Sequence, residues 1–464
     1  MEKIKNPYKT HWYHRQVSYW LNKDLERDSG DIEDMEVIRL DPLPGTAASK
    51  KPPVRIFLGT EPGQYRATRI FVWSVMQTRD PARAYEVHLM SNATGISREG
   101  WKTGFTNYRY AIPFWAGNKG RAIYNDVDQI YLQDPAGLFD MDMKGKGILA
   151  ISAKENAVML IDCEKMADLW TIEDVRAGKK HDHYKGAMVD ADMFGEMPGT
   201  WNSRDAEHPA NEINCLHYTT LHSQPWKPFP AYLRYREGPL YSLWHDMEKA
   251  ADKAGYLLFT KEHPSKEFGR LIAQYQQMHE TPETFAGYQI KKHFKTVADL
   301  AKATNASEIL DYGSGKAINY QAIPGEPENS PYRQSEALPG LRIRCYDPGH
   351  APFADIGEGP YDGVISTDVV EHLSPLDVPW VIDEMFSHAS GFVMIVAACY
   401  PAIKTLPDGR NAHTTLQPPY WWHVQMALAS RRYPNVRWTL ICEEKGKMRR
   451  RQRIFTEKSS SPLD

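Results

Sequence analysis

Two aspartates separated by one residue, Asp126 and Asp128, are the side chains whose type and spacing point most directly to chemistry. They sit in the run Ala122-Ile123-Tyr124-Asn125-Asp126-Val127-Asp128-Gln129-Ile130-Tyr131-Leu132, with a short β-rich stretch on either side. Two carboxylates at the end of a buried strand are costly unless something positive compensates them. Mg²⁺ or Mn²⁺ does so, because either takes carboxylate oxygens and shares its remaining positions with phosphate. An exposed acidic turn would carry the same triplet, so the surrounding elements decide between the two.

A second centre lies in the other half of the chain. The strand pattern 307–311 runs into Gly313-Ser314-Gly315, and the pattern 341–346 ends at Asp347, an acid suited to a ribose diol. A further strand pattern, 361–367, ends in Asp368-Val369-Val370-Glu371-His372. Glycines at such a turn let a ligand approach the backbone at a helix N-terminus. A dinucleotide site would want a third glycine near Ile318 and an acid ~20 residues past the loop. No glycine stands there, and Asp347 comes more than thirty residues on.

The elements that must hold these residues alternate between strand and helix patterns. Val54 to Gly59 reads as an apolar strand ending in Gly-Thr, followed by a turn and a helix from about Tyr65 to Met76. Glu86 to Met90 reads as the next strand. In the second half a connector helix is expected between Lys261 and Phe294, with Phe268, Leu271, Ile272 and Tyr275 at helical spacing, and another from about Tyr288 to Ala303. Gly391 to Ala398 reads as a late strand; the polar stretch Lys404 to Thr415 after it is placed to overhang a pocket. The basic run from Lys445 to Arg453 reads as a solvated hairpin closing the sheet.

A chain of 464 residues is too long for one ordinary domain. With 42% hydrophobic and 25% charged residues, each half can bury a core. A net charge of -3 and a pI near 6.6 give no basic surface for nucleic acid or a membrane. The five cysteines are scattered without Cys-x-x-Cys spacing, which favours reduced thiols over a disulfide frame or a zinc site. The N-terminus lacks the apolar core of a signal peptide, and no run approaches the ~20 apolar residues of a membrane-spanning helix. A cytoplasmic protein is expected. The first fifty residues carry a helix pattern from Trp12 to Leu25 and a Pro/Gly-rich linker, with no readable function.

The Asp126–Asp128 strand and its surroundings resemble the GT-A glycosyltransferases of the glycogenin and galactosyltransferase-like group, glycosyltransferase family 8. The resemblance implies a UDP-sugar donor and Mn²⁺ (or Mg²⁺) held by Asp126, Asp128 and His217. His217 stands in Asn214-Cys215-Leu216-His217, similar to the family's closing motif, with His222 as the fallback ligand. That motif continues to a Lys-Pro-Trp, where this chain has Gln224-Pro225-Trp226, so Lys227 or His222 is left to neutralise the donor diphosphate. The same resemblance implies that Gly59 and Thr60 hold the nucleoside. It also implies that Arg109, seventeen residues before Asp126, contacts the donor phosphates and sugar, and that Asn156 reaches the sugar. Retention of configuration at the anomeric carbon is the family's outcome.

The second half resembles class I S-adenosylmethionine-dependent methyltransferases. The resemblance implies that Asp311, Gly313 and Gly315 cradle the methionine part of the cofactor and that Asp347 takes the ribose hydroxyls. Asp368 lies near the adenine or the methionine amine, and Tyr275 to His279 form a lid segment. His372 and His413 are the general-base candidates, although many methyltransferases work by proximity and orientation alone.

The expected protein therefore has two α/β domains: an extension over 1–52, a GT-A-like domain over 53–260 and a Rossmann-like methyltransferase domain over 261–464. It is a bifunctional enzyme of glycan modification, adding a sugar and methylating a sugar or glycoconjugate hydroxyl, with no nucleic-acid partner. The alternative is a methyltransferase whose GT-A-like domain only binds glycan or nucleotide. Nothing in the sequence sets the oligomeric state.

Overall fold

The computed structural model describes residues 32, 35–91, 93–96, 105–177, 191–228, 233–281, 284–445 and 450–463. The helix expected over Trp12 to Leu25 lies outside the described residues, as does the tip of the basic hairpin. The chain divides into two compact units, one ending at Leu258 and the other beginning at Phe259.

The first unit contains strands β1 (Glu36–Leu40), β2 (Val54–Gly59), β3 (Tyr85–Met90), β4 (Arg121–Asp126) and β5 (Gln129–Tyr131). It continues with β6 (Ile148–Ala150), β7 (Val158–Asp162), β8 (Phe194–Glu196), β9 (Ser203–Arg204) and β10 (Cys215–His217). Seven of them form one sheet in the order β1-β3-β2-β4-β7-β6-β8, and β5-β10-β9 form a small second sheet. β2 runs parallel to both β3 and β4, so the chain leaves β2 for one neighbour and returns to the other. That reversal is where α/β sheets bind ligands, outside the carboxyl ends of the strands. Asp126 closes β4 at that end.

β1 corrects the expectation for the first fifty residues. The segment read as an extension contributes an antiparallel edge strand, Glu36–Leu40 against Tyr85–Leu89.

Helix α1 (Tyr65–Thr78) follows β2 and is buried from Tyr65 to Val75. That burial includes two arginines, so each needs a partner. Arg66 makes a two-pronged ion pair with Glu248 on helix α2 (Tyr241–Lys253), and its second prong is 2.6 Å long. Arg69 donates to the Tyr256 carbonyl at 2.8 Å and pairs with Asp252 at 2.7 Å. Both contacts tie α2 and the residues just after it to α1.

In the second unit the expected connector is helix α3 (Lys266–His279), capped by the Ser265 side chain accepting from Phe268 N–H. Helix α4 (Phe294–Thr304) begins later than expected, because Tyr288–His293 is a 3₁₀ turn. The strands are β11 (Glu308–Tyr312), β12 (Gln321–Ala322), β13 (Tyr332–Gln334), β14 (Arg342–Tyr346), β15 (Tyr361–Thr367), β16 (Ala389–Ala398), β17 (Arg437–Lys445) and β18 (Arg450–Thr456). They form one sheet in the order β12-β13-β14-β11-β15-β16-β17-β18. The five strands from β14 to β17 are mutually parallel, and β18 returns antiparallel along β17 as the expected hairpin. Helix α5 (Val378–Ser387) links β15 to β16, and helix α6 (Pro419–Ser430) links β16 to β17. The central strands are apolar and fully buried, as strands covered on both faces must be. Here too the chain passes from β11 to one neighbour, β14, and then to the other, β15, which puts a switch point over the end of β11.

No helix among the described residues is long and apolar enough to cross a membrane, and all five cysteines are free.

Candidate active sites

The expected metal residues of the first unit are brought to one place. The β4–β5 turn presents Asp126 and Asp128, and β10 lies antiparallel on β5 so that His217 pairs in register with Gln129. His217 Nε2 stands 3.1 Å from Asp128 Oδ1, and its Nδ1 is 2.9 Å from the amide oxygen of Asn202. That amide oxygen can only accept, so Nδ1 carries a proton and Nε2 is the nitrogen that faces Asp128. Asp128 Oδ1 is buried and takes no hydrogen bond. Without a metal, Nε2 takes a proton and pairs with the Asp128 carboxylate; a divalent cation would take the place of that proton. Burial opposes a charged imidazole, but Asp128 outweighs it and the His217 pKa is raised.

Asp126 is differently placed. Its Oδ1 accepts from the Tyr124 hydroxyl and, at 3.1 Å, from the Arg109 guanidinium, which lies 4.4 Å from the centre of the Tyr124 ring. Arg109 also donates to the Asn156 carbonyl at 2.9 Å and to its amide oxygen at 3.0 Å. The predicted donor residues Arg109, Asn156 and Asp126 thus form one network, and burial raises the Asp126 pKa against the pull of Arg109. Among the described residues no three His, Cys, Asp or Glu side chains are already arranged around a metal position. The donor set still fits a divalent cation: His217 Nε2 meets Asp128 Oδ1 at 3.1 Å, and Asp126 lies two residues before Asp128.

Three other expectations change. Gly59 does not open onto a ligand, because a Cβ there would meet Phe105 Cδ2 at 2.6 Å and the Tyr124 hydroxyl at 2.8 Å. Thr60 shares its hydroxyl with Thr68 at 2.7 Å. Gln224, which stands where the resemblance has a lysine, donates its amide to Asp128 Oδ2 at 3.3 Å and to the Tyr218 carbonyl at 3.1 Å. Lys227, at φ +46, lies just beyond it, whereas the fallback His222 faces the Arg234 carbonyl at 3.4 Å. Tyr124 and Asn202 went unassigned in the sequence.

In the second unit every backbone N–H from Gly313 to Ile318 already has a partner. Gly313 and Ser314 donate to the Tyr346 carbonyl at 2.7 and 3.0 Å, and Gly315 donates to Asp347 Oδ2 at 2.9 Å. Lys316 donates to the Phe285 carbonyl at 2.8 Å, Ala317 to that of Ser314 at 3.1 Å and Ile318 to that of Ala286 at 3.3 Å. A loop with its amides spent in this way is no phosphate cradle, which excludes the P-loop type of ligand. The space expected above the glycines is also taken by the chain: a Cβ on Gly313 would strike the Val369 side chain, and one on Gly315 the Phe285 carbonyl oxygen.

What the site offers is carboxylate. Asp311 is buried, accepts from the Tyr320 hydroxyl at 2.7 Å, and is pushed up to about 7 by burial. Asp347 receives Gly315 N–H and, at 2.9 Å, Gly349 N–H, and burial raises its pKa as well. Asp368 sits at φ +55 at the end of β15. Glu371, which the sequence reading quoted without a role, is fully buried; one oxygen accepts from Ala398 N–H at 3.0 Å and the other has no partner. Burial, then Asp368, holds its pKa well above the carboxylate range.

The two candidate bases are neighbours, with ring centres 4.8 Å apart. His372 Nδ1 faces the Ala412 carbonyl at 2.9 Å, and His413 Nδ1 faces the Tyr400 carbonyl at 2.6 Å. A carbonyl can only accept, so both rings carry their proton on Nδ1 and leave Nε2 unprotonated. Burial, then His413, pushes the His372 pKa down to about 3. Burial thus weakens His372 as a general base.

No family model matches the sequence, and no curated protein does. Solved structures with similarity include the bifunctional glycosyltransferase WbbM, at 11% identity over 45% of this chain and 50% of that one, with a TM-score of 0.34. The galactosyltransferase LgtC matches at 11% identity over 42% of this chain and 96% of its own, with a TM-score of 0.30. The glycosyltransferase GlyE of Streptococcus pneumoniae matches at 12% identity over 75% of this chain and 91% of its own, with a TM-score of 0.33. This chain thus spans half of the WbbM chain. Likeness at this level carries no argument about activity, and the functional reading rests on the side chains.

Proposed function

We propose that the N-terminal unit transfers a sugar from a UDP-sugar with the help of Mn²⁺ or Mg²⁺. We also propose that the C-terminal unit transfers a methyl group from S-adenosylmethionine to a sugar or glycan hydroxyl. The observation that carries the first reading is the convergence of the His217 imidazole and the Asp128 carboxylate, 3.1 Å apart, beside Asp126. Asp126, Asp128 and His217 are the side chains that would hold the cation, which supplies positive charge against the departing diphosphate. Arg109 is the guanidinium for the donor phosphates, oriented by Asn156 and Asp126, and Lys227 is the second positive group.

The second reading is supported by the acids gathered at its strand ends, Asp311, Asp347, Asp368 and Glu371. Burial holds Asp311 and Glu371 toward the neutral form, and a cofactor that is cationic at both sulfonium and ammonium would favour their charged forms. Asp347 takes the ribose hydroxyls and Asp368 lies by the amine. The cofactor would supply the methyl group when bound, and His413 Nε2 would take the proton of the acceptor hydroxyl.

One observation favours the alternative, a first unit that only binds glycan or nucleotide. Gln224 spends its amide on Asp128 and Tyr218, so no lysine meets the departing diphosphate there. Release of UDP from a panel of UDP-sugars with Mn²⁺, and methyl transfer from labelled S-adenosylmethionine to glycan acceptors, test both readings. UDP release lost in Asp128→Asn supports the transferase. UDP binding without turnover leaves the binding module, and absence of both overturns the reading of this unit.

A further inference from the structure

Each aspartate of the first unit's site has one oxygen held by a side chain outside the proposed ligand set. Both hydrogen bonds given to the Asp126 carboxylate go to Oδ1, one from the Tyr124 hydroxyl and one, at 3.1 Å, from the Arg109 guanidinium. On Asp128 the held oxygen is Oδ2, which takes the Gln224 amide at 3.3 Å, while Oδ1 faces His217 Nε2 at 3.1 Å.

Both holders are themselves fixed. The Tyr218 carbonyl can only accept, and it takes a Gln224 N–H at 3.1 Å, so the amide nitrogen and not its oxygen is the group on Asp128. Gln224 is 6% exposed, and both of its N–H groups are spent. Tyr124 is fully buried under Arg109, and Gly59 makes room for its hydroxyl, which a Cβ there would meet at 2.8 Å. The main chain of the turn is tied down as well. Asp126 N–H donates to the Ala157 carbonyl at 3.0 Å, and Tyr218 N–H donates to the Asp128 carbonyl at 2.9 Å. Turning either carboxylate to offer both oxygens therefore strips a buried donor of its acceptor, which is costly.

Given the divalent-cation reading of the first unit, on which this rests, we infer that Tyr124 and Gln224 are positioning residues that set which cation the site takes. They leave one oxygen of each aspartate, Asp126 Oδ2 and Asp128 Oδ1, beside the His217 nitrogen. A site with few protein oxygens and one nitrogen suits Mn²⁺ and, less well, Mg²⁺, which share their positions with phosphate and water. Ca²⁺ takes more oxygens and commonly both oxygens of a carboxylate, so the held carboxylates disfavour it.

The test is titration calorimetry of UDP into the full chain with Mn²⁺, Mg²⁺ or Ca²⁺ present, and with no cation. The unsubstituted protein is expected to bind UDP more tightly with Mn²⁺ than with Ca²⁺. Tyr124→Phe keeps the ring under Arg109, and Gln224→Leu keeps most of the bulk; each is expected to shrink that preference about tenfold. A side chain that only supports the fold would weaken binding with every cation alike. The melting temperature without metal shows which variant is folded, and one folded variant decides the outcome. A preference that falls in one folded variant alone supports the role of that residue and overturns that of the other. A preference unchanged in the folded variants overturns the inference, as does equal affinity with Mn²⁺ and Ca²⁺ in the unsubstituted protein; both results leave the cation site standing. UDP binding that is indifferent to every cation, or absent, overturns the cation site and the inference with it.

Discussion

His217 Nε2 lies 3.1 Å from Asp128 Oδ1, and that oxygen accepts no hydrogen bond. With Asn202 holding a proton on Nδ1, the pair joins residues 89 apart in sequence, at the meeting of the β4–β5 turn with β10, and is the core of the proposed cation site. Replacing Asn202 by Leu removes the acceptor that sets the tautomer. Mn²⁺ affinity, read by titration calorimetry, is expected to fall about 10- to 100-fold, as for other partners behind a metal-binding imidazole. Unchanged affinity would mean that Asn202 does not orient the ligand.

Glu248 is expected to be the most sensitive single position in the first unit. Its carboxylate is fully buried against Arg66, itself only 5% exposed, so Glu248→Ala leaves a buried guanidinium without its counter-charge. The expected loss is about 3–5 kcal/mol in urea unfolding. Lys249→Ala, next to it on the exposed face, is expected to change stability by no more than about 0.5 kcal/mol.

Asp311 gives a pH dependence of defined sign. Its pKa is raised from 3.8 to about 7, so the folded chain keeps a proton that the unfolded chain has lost. Its contribution to stability is therefore fully present below pH 4, falls as the pH rises from 4 to 7, and is gone above 7. A shift of this size corresponds to about 4 kcal/mol. The melting temperature of Asp311→Asn relative to the unsubstituted protein should rise between pH 5 and pH 8. A difference that is flat with pH would contradict the buried, neutral carboxyl.

The two histidines of the second unit should separate kinetically. His413→Ala is expected to lower methyl transfer by about 10²- to 10⁴-fold, the usual worth of a general base. His372→Asn, whose side chain can still donate to the Ala412 carbonyl, is expected to leave the pH–rate profile of methyl transfer unchanged. A profile that loses its acidic limb in His372→Asn would restore that residue as the base.

Much of this was legible in the sequence because apolar runs mark buried strands. β2, β4, β11, β14, β15 and β16 stand where their Val, Ile and Leu patterns put them, and the connector helix and closing hairpin were legible for the same reason. Arg109, Asn156, Asp126, Asp128 and His217 were named from a motif, and the structure brings them into one neighbourhood. Edge strand β1 was missed: Glu36-Val37-Ile38-Arg39-Leu40 is short, polar at every second position near its ends, and stabilised only by pairing with β3. The role of the glycines was misread, since Gly59, Gly313 and Gly315 make room for Tyr124, Val369 and Phe285. Spacing announces a close approach but not what approaches. Glu371 and Asn202 carried no signal, because their importance lies in burial and in partners far away in sequence.

The most direct test of the central claim is the melting temperature of the whole protein with UDP, with and without Mn²⁺. A ligand that binds only the folded state raises it, by about 2.7 kcal/mol of stability at a hundred times its Kd. A rise that needs UDP and Mn²⁺ together, and disappears in Asp128→Asn, is the predicted result. A rise with UDP that is indifferent to Mn²⁺, or none at all, would contradict a metal-assisted donor site at Asp126, Asp128 and His217.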